Sequence, residues 1–185
     1  MPLGLKVVHE KGNADALMKR LREKSPSVYV GIPAASAAER ASAAADLADL
    51  ATGPRKKHIQ EASEQDVNNA ELLFIFSKGS PARNQDPRPV LEPAIEADGN
   101  RQPISRELAG MAKAHLDGDK TKEMEFANRA ALAGQNAARD WFTDSRNAWS
   151  PNAPSTIAAK GSDRPGIDLG LMRGAIVGIV DPGEK

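Results

Sequence analysis

Cysteine is absent from all 185 residues. Disulfide staples, thiolate metal sites and cysteine nucleophiles are therefore excluded, and the absence fits a chain made in the cytosol. Aromatic residues make up only 4% of the sequence, with two Trp, one Tyr and four Phe. Any core must then be aliphatic and Ala-rich, which suits helices packed closely together, and a sugar-binding cleft has little to be walled with. Neither sign of charge is in excess, with 25 Lys and Arg against 25 Asp and Glu. A dedicated nucleic-acid binder usually carries a basic surplus, because phosphate neutralisation dominates its affinity. The short run Arg55-Lys56-Lys57 reads as solvated surface. Long apolar runs are also missing. The longest, Leu72 to Phe76, is far short of the roughly 20 residues of a membrane span. The opening Met1-Pro2-Leu3-Gly4-Leu5-Lys6 lacks a basic start followed by an apolar run, so no secretory leader is expected.

Catalytic and ligand-binding patterns are scarce as well. His9, His58 and His115 are far apart, with no closely spaced acidic or histidine partners of the kind a metal site needs, so each reads as a surface or packing residue. No G-x-S-x-G elbow and no Walker-type phosphate loop occurs. Glu92 and Glu96 could be cast as a glycosidase pair, but nothing separates them from helix-surface charge. Gly166, Gly170, Gly174 and Gly178 recur every four residues, yet Asp168 and Arg173 break the span, and they read as turn and strand glycines rather than a membrane helix-pairing motif. No enzyme activity, cofactor or metal is expected.

What is present is a soluble chain, 40% apolar and 27% charged, of a length suited to one domain or one domain with an extension. Leu3 to His9 alternates as a short strand. Asn13 offers a cap for a helix over about 14–24, with Leu17 and Leu21 on one face, and Pro26 forbids its continuation. Ser27 to Ile32 is a second strand, Val28 and Val30 facing one way and Tyr29 the other. From 33 to 69 the chain is rich in Ala and polar residues, with Gly53-Pro54 as an internal stop. This is read as an extension or arm, helical in part, that reaches a neighbouring subunit. Residues 70–76 favour a short helix, with Asn68 or Asn69 as its cap and Gly79 as its stop. Pro81, Pro87, Pro89 and Pro93 stiffen a connector.

Two longer helices follow. In the first, Ile104, Leu108, Met111 and His115 share a face. In the second, about 121–142, Met124, Ala127, Ala131, Ala138 and Trp141 form a seam widened by Ala130, Ala133, Gly134 and Ala137. They pair antiparallel, or the second crosses the sheet. Ser155 or Thr156 can cap a short helix ended by Gly161 with Lys160 in its last turn. Asp168 can cap another through Arg173, and Asp163 and Asp168 read as carboxylates that bind backbone N–H groups. Ala175 to Val180 is a closing strand. The fold class is α+β: a small sheet, made of an N-terminal β-α-β and a C-terminal strand, packed with two longer helices and carrying the Ala-rich arm.

Two stretches carry a resemblance. One is Asn69-Ala70-Glu71-Leu72-Leu73-Phe74-Ile75-Phe76-Ser77-Lys78-Gly79-Ser80-Pro81-Ala82-Arg83-Asn84, leading to Arg88-Pro89-Val90-Leu91-Glu92-Pro93-Ala94-Ile95. The other is Pro151-Asn152-Ala153-Pro154-Ser155-Thr156-Ile157-Ala158-Ala159-Lys160-Gly161-Ser162-Asp163-Arg164-Pro165, leading to Ile167-Asp168-Leu169-Gly170-Leu171-Met172-Arg173. Both resemble the tail-component (neck or tail-completion) proteins of long-tailed bacteriophages and prophages. That family has roughly His-Glu-Phe-Gly, then Pro-x-Arg-Pro-Phe-Leu-x-Pro-Ala in the first stretch, and Lys-Gly-Ser-Asp-x-Pro-Leu-Ile-Asp-Thr-Gly-x-Leu-Arg in the second. This chain departs with Phe76-Ser77-Lys78 before Gly79, Val90 for Phe, Gly166 for Leu and Leu169 for Thr.

The resemblance implies a structural virion protein that joins head and tail as an oligomeric ring. Its implied partners are copies of itself, a head-completion protein and a tail terminator. Genomic DNA would pass through the ring without sequence-specific binding, and no membrane is involved. The chain would sit in the neck or tail of the virion and in the host cytoplasm during assembly. Gly79, Arg88, Pro89, Leu91, Pro93, Lys160, Gly161, Asp163, Asp168, Gly170 and Arg173 are the implied structural-motif or subunit-contact residues. The rivals are a tail terminator or other minor tail protein, a phage-encoded cell-wall hydrolase, and a regulatory DNA-binding module.

Overall fold

The computed structural model describes residues 11–34, 39–64 and 67–183. The strand expected at Leu3 to His9 lies outside the described residues, as does His9. In chain order the elements are α1 (Lys11–Arg22), β1 (Ser27–Gly31), α2 (Arg40–Leu50), α3 (Gly53–Ser63), α4 (Asn69–Lys78), α5 (Leu91–Glu96), α6 (Arg101–Asp117), α7 (Lys120–Asp140), α8 (Pro154–Lys160), α9 (Leu171–Ala175) and β2 (Val177–Asp181). The fold is α+β: mostly helix, with a small two-stranded sheet and two longer helices at its centre. No described helix is long and apolar enough to cross a membrane. Asn13 lies inside α1 rather than before it.

Helix α7 is the spine, 21 residues and about 32 Å long. Asp119 caps it by accepting from Lys122 N. Gly118, at φ 76°, closes α6 with the left-handed residue a tight return requires. Helices α6 and α7 then run antiparallel, with Glu107 opposite Arg129 (2.7 Å) and His115 opposite Glu123 (2.7 Å). Across its other face α7 meets the sheet. Strands β1 and β2 are antiparallel, with Val28 opposite Val180, Tyr29 opposite Ile179 and Val30 opposite Gly178. Helix α7 therefore does both of the things expected of it as alternatives, because its small residues let backbones approach on two sides. A Cβ on Gly134 would stand 2.6 Å from Val30 Cγ2, and one on Gly178 would collide with the Ala131 carbonyl. Tyr29 and Ile179 face outward and are exposed, while Ile176 is fully buried. Burying a side chain of that size is worth roughly 1.5–3 kcal/mol.

One polar group anchors this block. The Glu123 side chain is 1% exposed and takes bonds from His115 Nδ1 (2.7 Å), Lys120 Nζ (3.0 Å) and Ser25 Oγ (3.3 Å). His115 Nε2 donates to Arg20 O (2.7 Å), and Arg20 Nη1 to Leu116 O (2.7 Å), which ties α1 to the α6–α7 turn. Burial works to raise the Glu123 pKa, but the Lys120 and His115 bonds outweigh it and hold the carboxyl below its ordinary range.

The apolar core gathers where α4, α5 and α9 meet the end of α7: Leu73, Phe76, Val90, Ala94, Ala138, Trp141, Phe142, Met172 and Ile176. The 33–69 segment contributes a helical hairpin, α2 against α3, seated on α8 and α9. Ala44, Ala48, Ile59 and Ala62 are buried within it. The expected extension is thus a folded hairpin resting on the second motif.

Candidate functional site

The two motif stretches, more than 50 residues apart in sequence, meet along one cleft of about 660 Å³. Its first wall begins in α4. Asn68 accepts from Ala70 N and Glu71 N (both 2.9 Å) while Glu71 takes the Asn68 N–H (3.1 Å), a reciprocal cap. The chain then turns sharply at Gly79, where φ is 75° and a Cβ would sit 2.6 Å from Gln85 O. Ser80 and Gln85 exchange backbone bonds across the Pro81–Arg83 3₁₀ turn. The return brings Arg88 N onto Phe76 O (3.0 Å).

The second wall is the 149–173 stretch. Arg88 Nη2 donates to the carbonyls of Ser150 (2.8 Å) and Pro151 (3.3 Å), and Ser150 Oγ bonds Asp86 Oδ2 (2.8 Å). Phe76 meets Trp149 edge-on with centroids 5.1 Å apart, and Phe142 completes an aromatic triad. Gly166 lies over that triad at φ 70°. A Cβ there would be 2.7 Å from Phe76 Cζ, so a side chain at this position would have to displace the Phe76 ring. Lys160, buried at the end of α8, donates to the carbonyls of Arg164 and Ile167 (the latter 2.9 Å). Desolvation lowers its pKa, Asp168 pulls it up and the Arg88 charge pushes it down again.

Each expected residue has a definite place. Gly79 and Gly161 end α4 and α8. Pro89 offers its carbonyl to Trp141 Nε1 (3.3 Å), and Leu91 and Pro93 lie in α5, Leu91 packing on the core. Arg173 Nε donates to Arg139 O (2.7 Å). Gly170, at φ 77°, leads into α9.

Three cap assignments are corrected. Asp168 does not cap α9, because its Oδ2 lies 2.8 Å from His58 Nε2 and Gly170 occupies the cap position. Ala153 precedes α8, with Pro154 starting it, so neither Ser155 nor Thr156 caps it. At 163 the useful group is the carbonyl, which accepts from Asn152 Nδ2 (2.8 Å), while Ser162 Oγ serves Arg164 N (3.2 Å).

The α2–α3 hairpin abuts the second wall and brings Arg40 to the cleft, and it was not expected at this site. Arg55 Nη1 donates to Lys160 O (2.5 Å), so this residue of the basic run is a tether. Arg40 lines the cleft beside Arg88, Lys160 and Asp168. Burial lowers its pKa, opposed by the charge of Asp168. No sequence pattern singles out Arg40 or His58, since their partners lie over 100 residues away. Among the described residues, no three His, Asp or Glu side chains converge as metal ligands would. The cleft's cations are mostly directed at main-chain carbonyls, an arrangement that braces loops and presents charge. No protein-family model, curated protein or solved structure matches this chain.

Proposed function

We propose that the chain is a structural component of a tailed-phage particle, acting in the neck or at tail completion as part of an oligomeric ring. The observation that carries this reading is the joining of the two family-like stretches into one braced unit. Arg88 holds Ser150 and Pro151, Ser150 holds Asp86, and Phe76 packs on Trp149. Residues that serve one another's main chain in this way suit a scaffold whose shape is its function.

Exposed apolar side chains support the assembly part. Leu17, Met18 and Leu21 are exposed on α1, and Phe74 is exposed on α4. A head-to-tail ring needs two different faces per subunit, each covered by the next copy. Electron microscopy of particles assembled without this chain is the test. Heads separated from tails support the neck assignment, and normal infectious particles overturn it.

A further inference from the structure

Among the described residues, three buried polar atoms on the cleft's lining side chains have no hydrogen-bond partner: Arg40 Nε, Arg88 Nε and Asp168 Oδ1. Native folds pair almost all such atoms, so three in one place call for an explanation. Two of the side chains are anchored elsewhere. Arg88 holds carbonyls through Nη2, and Asp168 holds His58 through Oδ2. Each is thus fixed by one atom and keeps another unspent. Lys160 is anchored on carbonyls close by. Burial also leaves the Arg40 cation under-compensated.

The unspent atoms are of two kinds, two donors and one acceptor. A bare anion would pair the donors, leave Asp168 Oδ1 as it is, and meet the Asp86 and Asp168 carboxylates. A ligand with a carboxylate and an N–H next to it answers all three once the side chains turn these atoms, closed to solvent in the free chain, toward the cleft. Charge points the same way. Arg40, Arg88 and Lys160 stand against Asp86 and Asp168 along the cleft, a small positive surplus that one carboxylate neutralises. A phosphodiester strand, charged at every nucleotide, would meet repulsion from both acids. Phe76 and Ile167 add apolar floor for an extended chain.

We propose that this cleft binds an extended segment of another polypeptide carrying an Asp or Glu, its carboxylate on Arg40 and Arg88 and a neighbouring backbone N–H on Asp168. The inference rests on the reading that this chain works through contacts with other polypeptides.

The test is a titration of the isotope-labelled full chain, following the Arg Nε–H resonances by NMR. The probes are acetyl-Ala-Asp-Ala-amide, its Asn counterpart, inorganic phosphate and a short thymidine oligonucleotide. The Asp peptide is expected to move the Arg40 and Arg88 Nε–H resonances saturably and to bind roughly tenfold tighter than the Asn peptide. Arg40→Gln should weaken it by a similar factor. Arg40→Lys, which keeps the charge and loses the Nε–H fork, should weaken it too, and it carries the comparison if Arg40→Gln fails to fold. Equal binding of the Asp and Asn peptides overturns the proposal. So does tighter binding of phosphate or the oligonucleotide, or Arg40 and Arg88 resonances that stay still because the two atoms pair with Asp168 in the free protein. Such a result leaves the particle assignment standing, since that is read from particle morphology. Normal particles beside a positive titration would instead fault the assignment and keep the cleft.

Discussion

Around α7 the chain is held by closeness, with Gly178 against the Ala131 backbone, Gly134 against Val30, and one buried carboxylate joining α6, α7 and the turn before β1. Around the cleft it is held by tethers, Arg55, Arg88 and Lys160 each reaching a main-chain carbonyl of the second stretch. The first arrangement leaves no room for change and satisfies its polar groups. The second joins distant segments through long side chains and leaves polar atoms unspent. The difference assigns stability to the α6–α7–sheet block and recognition to the cleft, because unsatisfied groups cost stability and persist where a ligand repays them.

The largest effect expected is from Gly178→Ala. Its methyl meets backbone rather than a movable side chain, so a loss of about 3 kcal/mol is predicted, or a fall in Tm of roughly 10 °C by thermal denaturation. An unchanged Tm would show that the strand and helix backbones do not approach this closely. Glu123→Gln should cost about 2 kcal/mol at pH 7, measured by urea unfolding, because His115 and Lys120 lose their charged partner. It also carries a pH signature. The folded-state pKa of Glu123 is depressed, so its contribution is fully present above the unfolded value of about 4.3 and is lost as pH falls through the folded value. The parent's urea midpoint should therefore drop below that pH more steeply than the variant's.

Smaller effects are expected at the cleft. Arg88→Ala should cost about 1 kcal/mol by urea unfolding, the net worth of its carbonyl bonds. Arg40→Gln should change unfolding by no more than about 0.5 kcal/mol, since its Nε makes no bond to lose. A large loss there would move Arg40 from recognition to stability.

Local signals were readable where the chain alone decides the outcome. Asn68 and Gly79 bound α4, Gly161 ends α8, the small residues of α7 seat both a helix and the sheet, and the alternation at Val28, Tyr29 and Val30 sets the inner and outer faces. The cap assignment at Asp168 failed for a different reason. A carboxylate that can serve a nearby N–H goes instead to a histidine 110 positions away when folding brings His58 within 2.8 Å. Arg40 and Arg55 were illegible on the same ground. Their surroundings read as polar and solvated, and only the docking of the hairpin on α8 and α9 gives them work. Tertiary placement, not local pattern, made the cleft.

The claim that this chain is part of a phage particle is tested most directly by quantitative mass spectrometry of gradient-purified particles. Peptides of this chain are expected at a fixed ratio to the tail proteins across the particle peak. Particles with full tails and no trace of the chain would contradict it.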